Sequence, residues 1–164
     1  MSWFPEPLTA TLRAPVIIGR AIALEYRNIL VPVKPGRPSE EAIDVACRLA
    51  TDRGASISSL SVVVIGLELP LDTLLEEEER RAEDALDSAA AIAELYGVNF
   101  TERLVRARHA GRAIVDEATR RQSEIIVMGA PRAGRGRGVF SDTVDFVLKH
   151  APCRVMVVAG QKAA

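Results

Sequence analysis

Short apolar runs alternate with segments of helical periodicity from residue 28 almost to the end of the chain. Residues 29–33 form an unbroken apolar run, which is typical of a strand buried on both faces of a parallel sheet. Apolar residues recur at helical spacing in four later segments, and Gly54 and Gly97 are predicted to end two of these helices. The predicted strands are 29–33, 57–65, 100–105, 124–129 and 154–159, and the predicted helices run from the N-cap Ser39 to Gly54 and over 71–96, 111–121 and 139–150.

This alternation predicts an α/β fold in which a doubly wound, five-stranded parallel sheet carries helices on both faces, with right-handed crossovers. In such sheets ligands bind outside the carboxyl ends of the strands, where the strand order reverses. For a strand order of 3-2-1-4-5 that point lies between strands one and four. The irregular segments 34–36 and 129–138 follow these two strands, so we expect both to meet at one crevice.

The segment 129–138 is rich in glycine and arginine and contains no acidic residue. It lies between an apolar strand and a helix start, which is the arrangement of a phosphate cradle: glycines let the backbone approach an anion, and unpaired amides of the helix start point at it. A solvated surface loop is the alternative interpretation. The segment contains no complete G-x-G-x-x-G or Walker pattern.

Composition limits the classes of function. The chain of 164 residues has a net charge of −1, which gives no whole-molecule reason to expect a nucleic acid or an anionic membrane as partner. Its two cysteines, Cys47 and Cys153, are far apart, which argues against a disulfide framework or a zinc site and fits a reducing cytoplasm. His109 and His150 have no ligand at metal spacing, so we predict no metal site.

Residues 1–27 are the least regular part of the chain. Pro5, Pro7 and Pro15 interrupt the first half, and the apolar residues that follow are too few to span a membrane. We interpret 1–27 as an N-terminal extension that packs on the domain or on a partner subunit, or else as a frayed leader. Residues 28–160 are the predicted domain, and 161–164 are a C-terminal tail.

Three segments of the chain resemble the universal stress protein family. They are the opening strand 29–33, the strand that ends at Gly129, and residues 147–158 with the junction His150-Ala151-Pro152-Cys153. The resemblance covers about residues 28–159. It implies the strand order 3-2-1-4-5, a homodimer paired through the last strand (here the run from Val155 to Val158), and a crevice that binds ATP or AMP in many members. Residues 19–27 also resemble the join between membrane permeases and their cytosolic stress-protein domains.

The chain departs from the pattern of the ATP-binding members, which is G-2x-G-9x-G followed by Ser or Thr. Gly129 matches the first glycine, but Arg132 stands at the second. The last pair falls at about Ser141 and Asp142, in a loop one residue shorter than the pattern, so its glycine is missing. Lys34 replaces an acidic residue that accepts hydrogen bonds from the ribose, and Asp142 would repel a phosphate at the helix start. The candidate nucleotide-binding residues are Pro32, Val33, Lys34, Val62, Met128, Gly129, Arg132, Gly134, Arg135, Gly138, Ser141, Asp142 and Thr143.

We therefore predict a cytoplasmic, homodimeric regulatory module with a weakened or vestigial adenine-nucleotide site and an unidentified protein partner. The alternatives are a domain related to the permease-associated ones that binds a different nucleotide, a nucleotide-hydrolysing or nucleotidyl-transfer enzyme, and an RNA-binding module that uses the arginines of 129–138. No carboxylate pair or nucleophile–base set is placed for an enzyme, and aromatic residues for base stacking are only 4% of the chain.

Overall fold

The structure is a computed structural model, and it describes residues 26–51, 54–131 and 140–160. Five strands alternate with four helices along this part of the chain. In chain order they are β1 (Asn28–Pro32), α1 (Arg37–Thr51), β2 (Ser56–Val64), α2 (Glu76–Tyr96), β3 (Asn99–Ala107), α3 (Ala110–Arg121), β4 (Ile125–Ala130), α4 (Asp142–His150) and β5 (Arg154–Ala159).

The five strands form one sheet in the order β3-β2-β1-β4-β5, and every neighbouring pair is parallel. The predicted fold class and strand order are therefore confirmed. β1 lies in the centre, where Leu30 is in register with Ser58 of β2 and Ile126 of β4. The strand order reverses between β1 and β4, and this places the carboxyl ends of these two strands side by side.

The core has one layer on each face of the sheet. Ile29 and Val31 pack with Ile43 of α1 on one face, whereas Leu30 packs with Ile114 of α3 and other residues on the opposite face. Successive residues of a strand point to opposite faces, and both faces of β1 are covered, which explains why Ile29, Leu30 and Val31 are all apolar. Burial of each such side chain contributes about 1.5–3 kcal/mol.

The helix predicted over 71–96 begins five residues later, at Glu76. The side chains of Leu71 and Leu74 are 48% and 59% exposed, so the prediction that they form part of the buried helical face is wrong. Two factors explain the later start. Pro70 begins a turn in which the Thr73 amide donates to the Pro70 carbonyl, at 3.1 Å, and the acidic first turn that follows suits the positive end of a helix.

Two further helix starts differ from the prediction. α1 begins at Arg37, so Ser39 is not its N-cap; the Ser39 hydroxyl instead accepts a hydrogen bond from the Lys34 amide at 3.0 Å. α4 begins at Asp142 with Ser141 as its N-cap, rather than at residue 139. α1 ends at Thr51, three residues before the predicted Gly54, and the remaining boundaries agree with the prediction to within two residues. The predicted stop at Gly97 is confirmed because Gly97 takes the left-handed conformation, with φ 64°.

Only the end of the predicted N-terminal extension falls within the described residues. Tyr26 is buried in the core layer of Ile29 and Val31, and the Arg27 amide donates to the Glu124 carboxylate at 2.5 Å. Residues 1–25 and 161–164 lie outside the described part. None of the helices that the structure describes is long and apolar enough to cross a membrane.

Candidate functional site

A cavity of about 260 Å³ lies at the carboxyl ends of β1 and β4, where the sequence predicted a crevice. Eight of the thirteen candidate residues line this crevice: Pro32, Val33, Lys34, Val62, Met128, Gly129, Ser141 and Thr143. Arg132, Gly134, Arg135 and Gly138 lie outside the described residues. Asp142 is exposed and does not line the crevice.

Hydrogen bonds fix the backbone at the β1 side of the crevice. The Val33 amide donates to the Leu60 carbonyl at 2.8 Å, and the Ser61 hydroxyl donates to the Val33 carbonyl at 3.0 Å. The Lys34 amide donates a hydrogen bond to the Ser39 hydroxyl at 3.0 Å. The Lys34 backbone is therefore held in place, while its exposed side chain offers an ammonium donor and no acceptor to the crevice.

Gly129 is required at the β4 side because another backbone approaches it closely. A Cβ atom at this position would lie 1.9 Å from the Pro38 carbonyl oxygen and 3.0 Å from the Ser39 nitrogen. The start of α1 therefore packs directly on the end of β4. This contact gives Gly129 a packing role that is separate from any contact with a ligand.

Apolar side chains form most of the crevice wall. Leu60, Val62 and Met128 come from the sheet, Ile114 from α3 and Val144 from α4. All five also belong to the core layer on that face of the sheet or pack against it, so the wall is rigid. An apolar wall with a few polar groups at its rim suits a flat heterocycle that carries a polar substituent.

The first turn of α4 forms the polar end of the crevice. Ser141 is the N-cap, and its hydroxyl accepts from the Val144 amide at 3.4 Å. The helix start presents amides and a partial positive charge, which favour an anion. Asp142 and Asp145, both in this first turn, offset part of that positive charge.

Six lining residues were not among the sequence candidates: Ser39, Leu60, Val64, Ala110, Ile114 and Val144. Ala110 and Ile114 are one helical turn apart on α3, a spacing that indicates a shared face but not which strand end it covers. Ser39 was assigned to a helix cap, and only the tertiary structure directs its hydroxyl to Lys34.

Other chemistry-bearing groups lie away from the crevice. Within the described ranges there is no group of His, Cys, Asp and Glu that could hold a metal ion. The His150 ring packs against Phe146, with the two ring centroids 4.3 Å apart. Burial raises the pKa of the Cys47 thiol to about 11, so this thiol is protonated at neutral pH and is a core residue rather than a nucleophile.

Comparisons with known proteins agree with this geometry. Residues 25–159 match the model of the universal stress protein family. A universal stress protein from Lactobacillus plantarum superposes with a TM-score of 0.67 at 26% identity, covering 82% of this chain and 98% of that one. The sequence has no match among curated proteins.

Two further solved structures with the same fold hold a nucleotide. The universal stress protein from Archaeoglobus fulgidus in complex with dAMP has a TM-score of 0.65 at 22% identity, covering 80% of this chain and 97% of that one. A family protein from Arabidopsis thaliana with AMP bound has a TM-score of 0.58 at 19% identity, covering 82% and 92%.

Proposed function

We propose a function for this chain, which belongs to the universal stress protein family. It acts as a cytoplasmic, homodimeric regulatory module whose crevice binds an adenine nucleotide weakly and without hydrolysis. The observation that carries this proposal is the crevice itself, with its apolar wall, its helix start and its exposed Lys34.

The crevice suits the parts of a nucleotide. The wall of Leu60, Val62 and Met128 would contact the base, and the amides at the start of α4 would face the phosphate. The proteins from Archaeoglobus fulgidus and Arabidopsis thaliana, which share the fold, carry dAMP and AMP. These likenesses support an adenine nucleotide as the first ligand to test.

Three features would make binding weak. Lys34 supplies no acceptor for ribose hydroxyls, Arg132 stands at the second glycine of the family motif, and Asp142 adds a negative charge at the helix start. Each feature would cost on the order of 1 kcal/mol, and ~1.4 kcal/mol is a tenfold loss of affinity. The arginines of segment 129–138 would offset part of the loss, although screening and rotamer entropy limit an exposed side chain.

We infer no hydrolytic activity from the polar groups that line the crevice. Its described lining contains Lys34, Ser39, Ser141 and Thr143 but no histidine, aspartate or glutamate to act as a general base. The hydroxyls of Ser39 and Ser141 already accept backbone hydrogen bonds. A water molecule bound here would therefore lack a group to remove its proton.

The proposed homodimer pairs two copies of β5. This strand is at an edge of the sheet, and its apolar residues from Val155 to Val158 are only partly buried within one chain. An apolar edge strand exposes unpaired backbone groups, which a second copy of the same strand would satisfy. Light scattering that gives a monomer mass at micromolar concentration would refute this part of the proposal.

The exposed Lys34 favours one second candidate function. An ammonium at the crevice rim suits a nucleotide with more negative charge near its sugar than ATP or AMP carries. This candidate corresponds to a domain related to the permease-associated ones that binds a different nucleotide. A calorimetric screen that includes nucleotides with an additional phosphate on the 2′- or 3′-hydroxyl of the ribose distinguishes the two.

Calorimetry with AMP and ATP tests the weak site directly. We expect weak or no binding by the natural sequence and stronger binding by the double variant Lys34→Asp with Asp142→Ser. The matched control is Lys149→Asp with Asp87→Ser, which makes the same charge changes at exposed positions outside the crevice. Tight ATP binding by the natural sequence, or equal affinities for both double variants, would contradict the assigned roles.

A further inference from the structure

A second hollow, of about 430 Å³, lies between β3 and α3 and shares no lining residue with the crevice. Five arginines line it, against two carboxylates, Asp116 and Glu117. The whole chain carries a net charge of −1, so the positive charge is concentrated locally. The five are Arg103, Arg106, Arg108, Arg112 and Arg120, and we call this surface the arginine groove.

One buried carboxylate, Glu117, binds two arginines of the arginine groove and also Arg121, which does not line the groove. Glu117 is 5% exposed, and its oxygens accept from Arg120 and Arg121 at 2.7 Å and from Arg103 at 3.3 Å. A single carboxylate balances one of these charges and leaves two in excess. Because Glu117 already holds Arg103 and Arg120, a ligand that contacts these two side chains would immobilise fewer rotamers on binding.

The other arginines add to this excess. Among the described residues Arg112 forms no ion pair, and its side chain is exposed. Arg108 is held by the carbonyls of Ile65 and Gly66, so neither contact neutralises its charge. Arg106 binds the Glu79 carboxylate at 2.7 Å, which shows that a carboxylate side chain fits at this edge of the groove.

The arginine groove lies at a free edge of the sheet. β3 has nine residues and pairs only with β2 within the described chain, so the backbone groups on its outer side have no strand partner. Such an edge accepts an additional extended strand, which gains main-chain hydrogen bonds along its length. The groove also offers apolar surface from Leu71, Val105 and Ala113.

We propose that the arginine groove binds an acidic, extended segment of a partner protein, which lies along β3 and places its carboxylates on the arginines. The excess positive charge selects an acidic partner, and the free strand edge and the apolar patches select a peptide. The groove lining contains no Phe, Tyr or Trp, and His109 is its one aromatic ring, so it lacks the row of aromatic side chains on which successive bases of a single-stranded RNA stack. The inference does not depend on nucleotide binding at the crevice.

Fluorescence anisotropy with a labelled 12-residue peptide of alternating glutamate and valine tests the proposal. We expect saturable binding that weakens steeply as salt is raised. The double variant Arg112→Gln with Arg120→Gln should lose about tenfold or more in affinity, because charge-assisted hydrogen bonds are removed. The Arg120 side chain is 54% exposed, and Arg112 is also exposed. Glu117 keeps its ion pairs with Arg103 and Arg121 in this variant, so we expect the fold to be preserved.

The control variant is Arg80→Gln with Arg81→Gln, which removes the same charge from α2, where both arginines pair with Glu77. It should change the affinity for the peptide by less than about twofold, since only non-specific attraction is lost. An equal loss in both double variants, no binding at low salt, or stronger binding of a single-stranded RNA of the same charge would each overturn the proposal.

Discussion

We expect the substitution Gly129→Ala to destabilise the protein even when no ligand is present. The added Cβ atom would lie 1.9 Å from the Pro38 carbonyl oxygen, whereas Cβ atoms do not approach other heavy atoms more closely than 3.0 Å. The first turn of α1 would have to move away from β4 by about 1 Å. The displaced atoms belong to backbone and cannot rotate away, and α1 carries the fully buried side chains of Ile43 and Cys47.

The cost of this displacement follows from what is known of overpacked cores. Forced backbone shifts cost about 1–3 kcal/mol, and a contact with backbone belongs at the upper end of that range. For a chain of this size, 1 kcal/mol lowers Tm by about 2–4 °C. We therefore expect Gly129→Ala to lower Tm by about 4–12 °C in a thermal melt followed by circular dichroism.

Gly97→Ala is the matched control for this substitution. Gly97 has φ 64° and no atom within 4 Å of an added Cβ, so its replacement costs only backbone strain, on the order of 1 kcal/mol. If Gly129→Ala melts no lower than Gly97→Ala, the packing role of Gly129 is refuted. Urea unfolding of both variants checks that the difference is in the free energy of unfolding.

Further predictions concern titration, thiol reactivity and a second close contact. The Tyr96 hydroxyl donates to the Asp44 carboxylate and holds the pKa of that carboxyl below its usual 3.8. This hydrogen bond therefore stabilises the fold above pH 3.8, and the stabilisation is lost as the pH falls through the lowered pKa. Tyr96→Phe should therefore be less stable than the natural sequence at about pH 6 by urea unfolding, and the difference should shrink as the pH falls below 3.8. A difference that stays constant with pH would contradict the assignment. Mass spectrometry after brief alkylation at about pH 8 should show label on the half-buried Cys153 before the buried Cys47; simultaneous labelling of the folded protein would contradict the burial of Cys47. Gly111→Ala should cost less than Gly129→Ala, because its added Cβ would lie 2.9 Å from the Phe146 Cβ, a much smaller overlap than the 1.9 Å contact at Gly129; an equal loss of Tm would contradict this ranking.

The sequence alone determined the family and the fold class, because both depend on local patterns. The apolar run 29–33 identified a strand covered on both faces, since alternate residues of β1 enter different core layers. The left-handed stop at Gly97 was also predictable, since only glycine adopts that conformation without strain. The match of residues 25–159 to the universal stress protein family confirms the resemblance inferred from the strands and the final junction.

The crevice was predictable in outline because strand order places β1 beside β4. Its wall was not predictable, because Ile114 and Val144 reach it from helices whose docking depends on the whole sheet. The predicted start of α2 was wrong because apolar residues continue at helical spacing through Leu71 and Leu74. The turn that begins at Pro70 and the acidic first helical turn from Glu76 favour a later start.

Which residues from distant parts of the chain contact each other was decided only by the tertiary structure. It places Pro38 of α1 against Gly129 of β4, so a glycine that the sequence suggested for a phosphate has a packing role as well. It also gathers Arg103 of β3 and Arg120 of α3 around Glu117, although sequence spacing gave no sign of an arginine groove. Periodicity reports the face of each element, but the contacts between elements depend on how the helices dock on the sheet, and no local pattern encodes that docking.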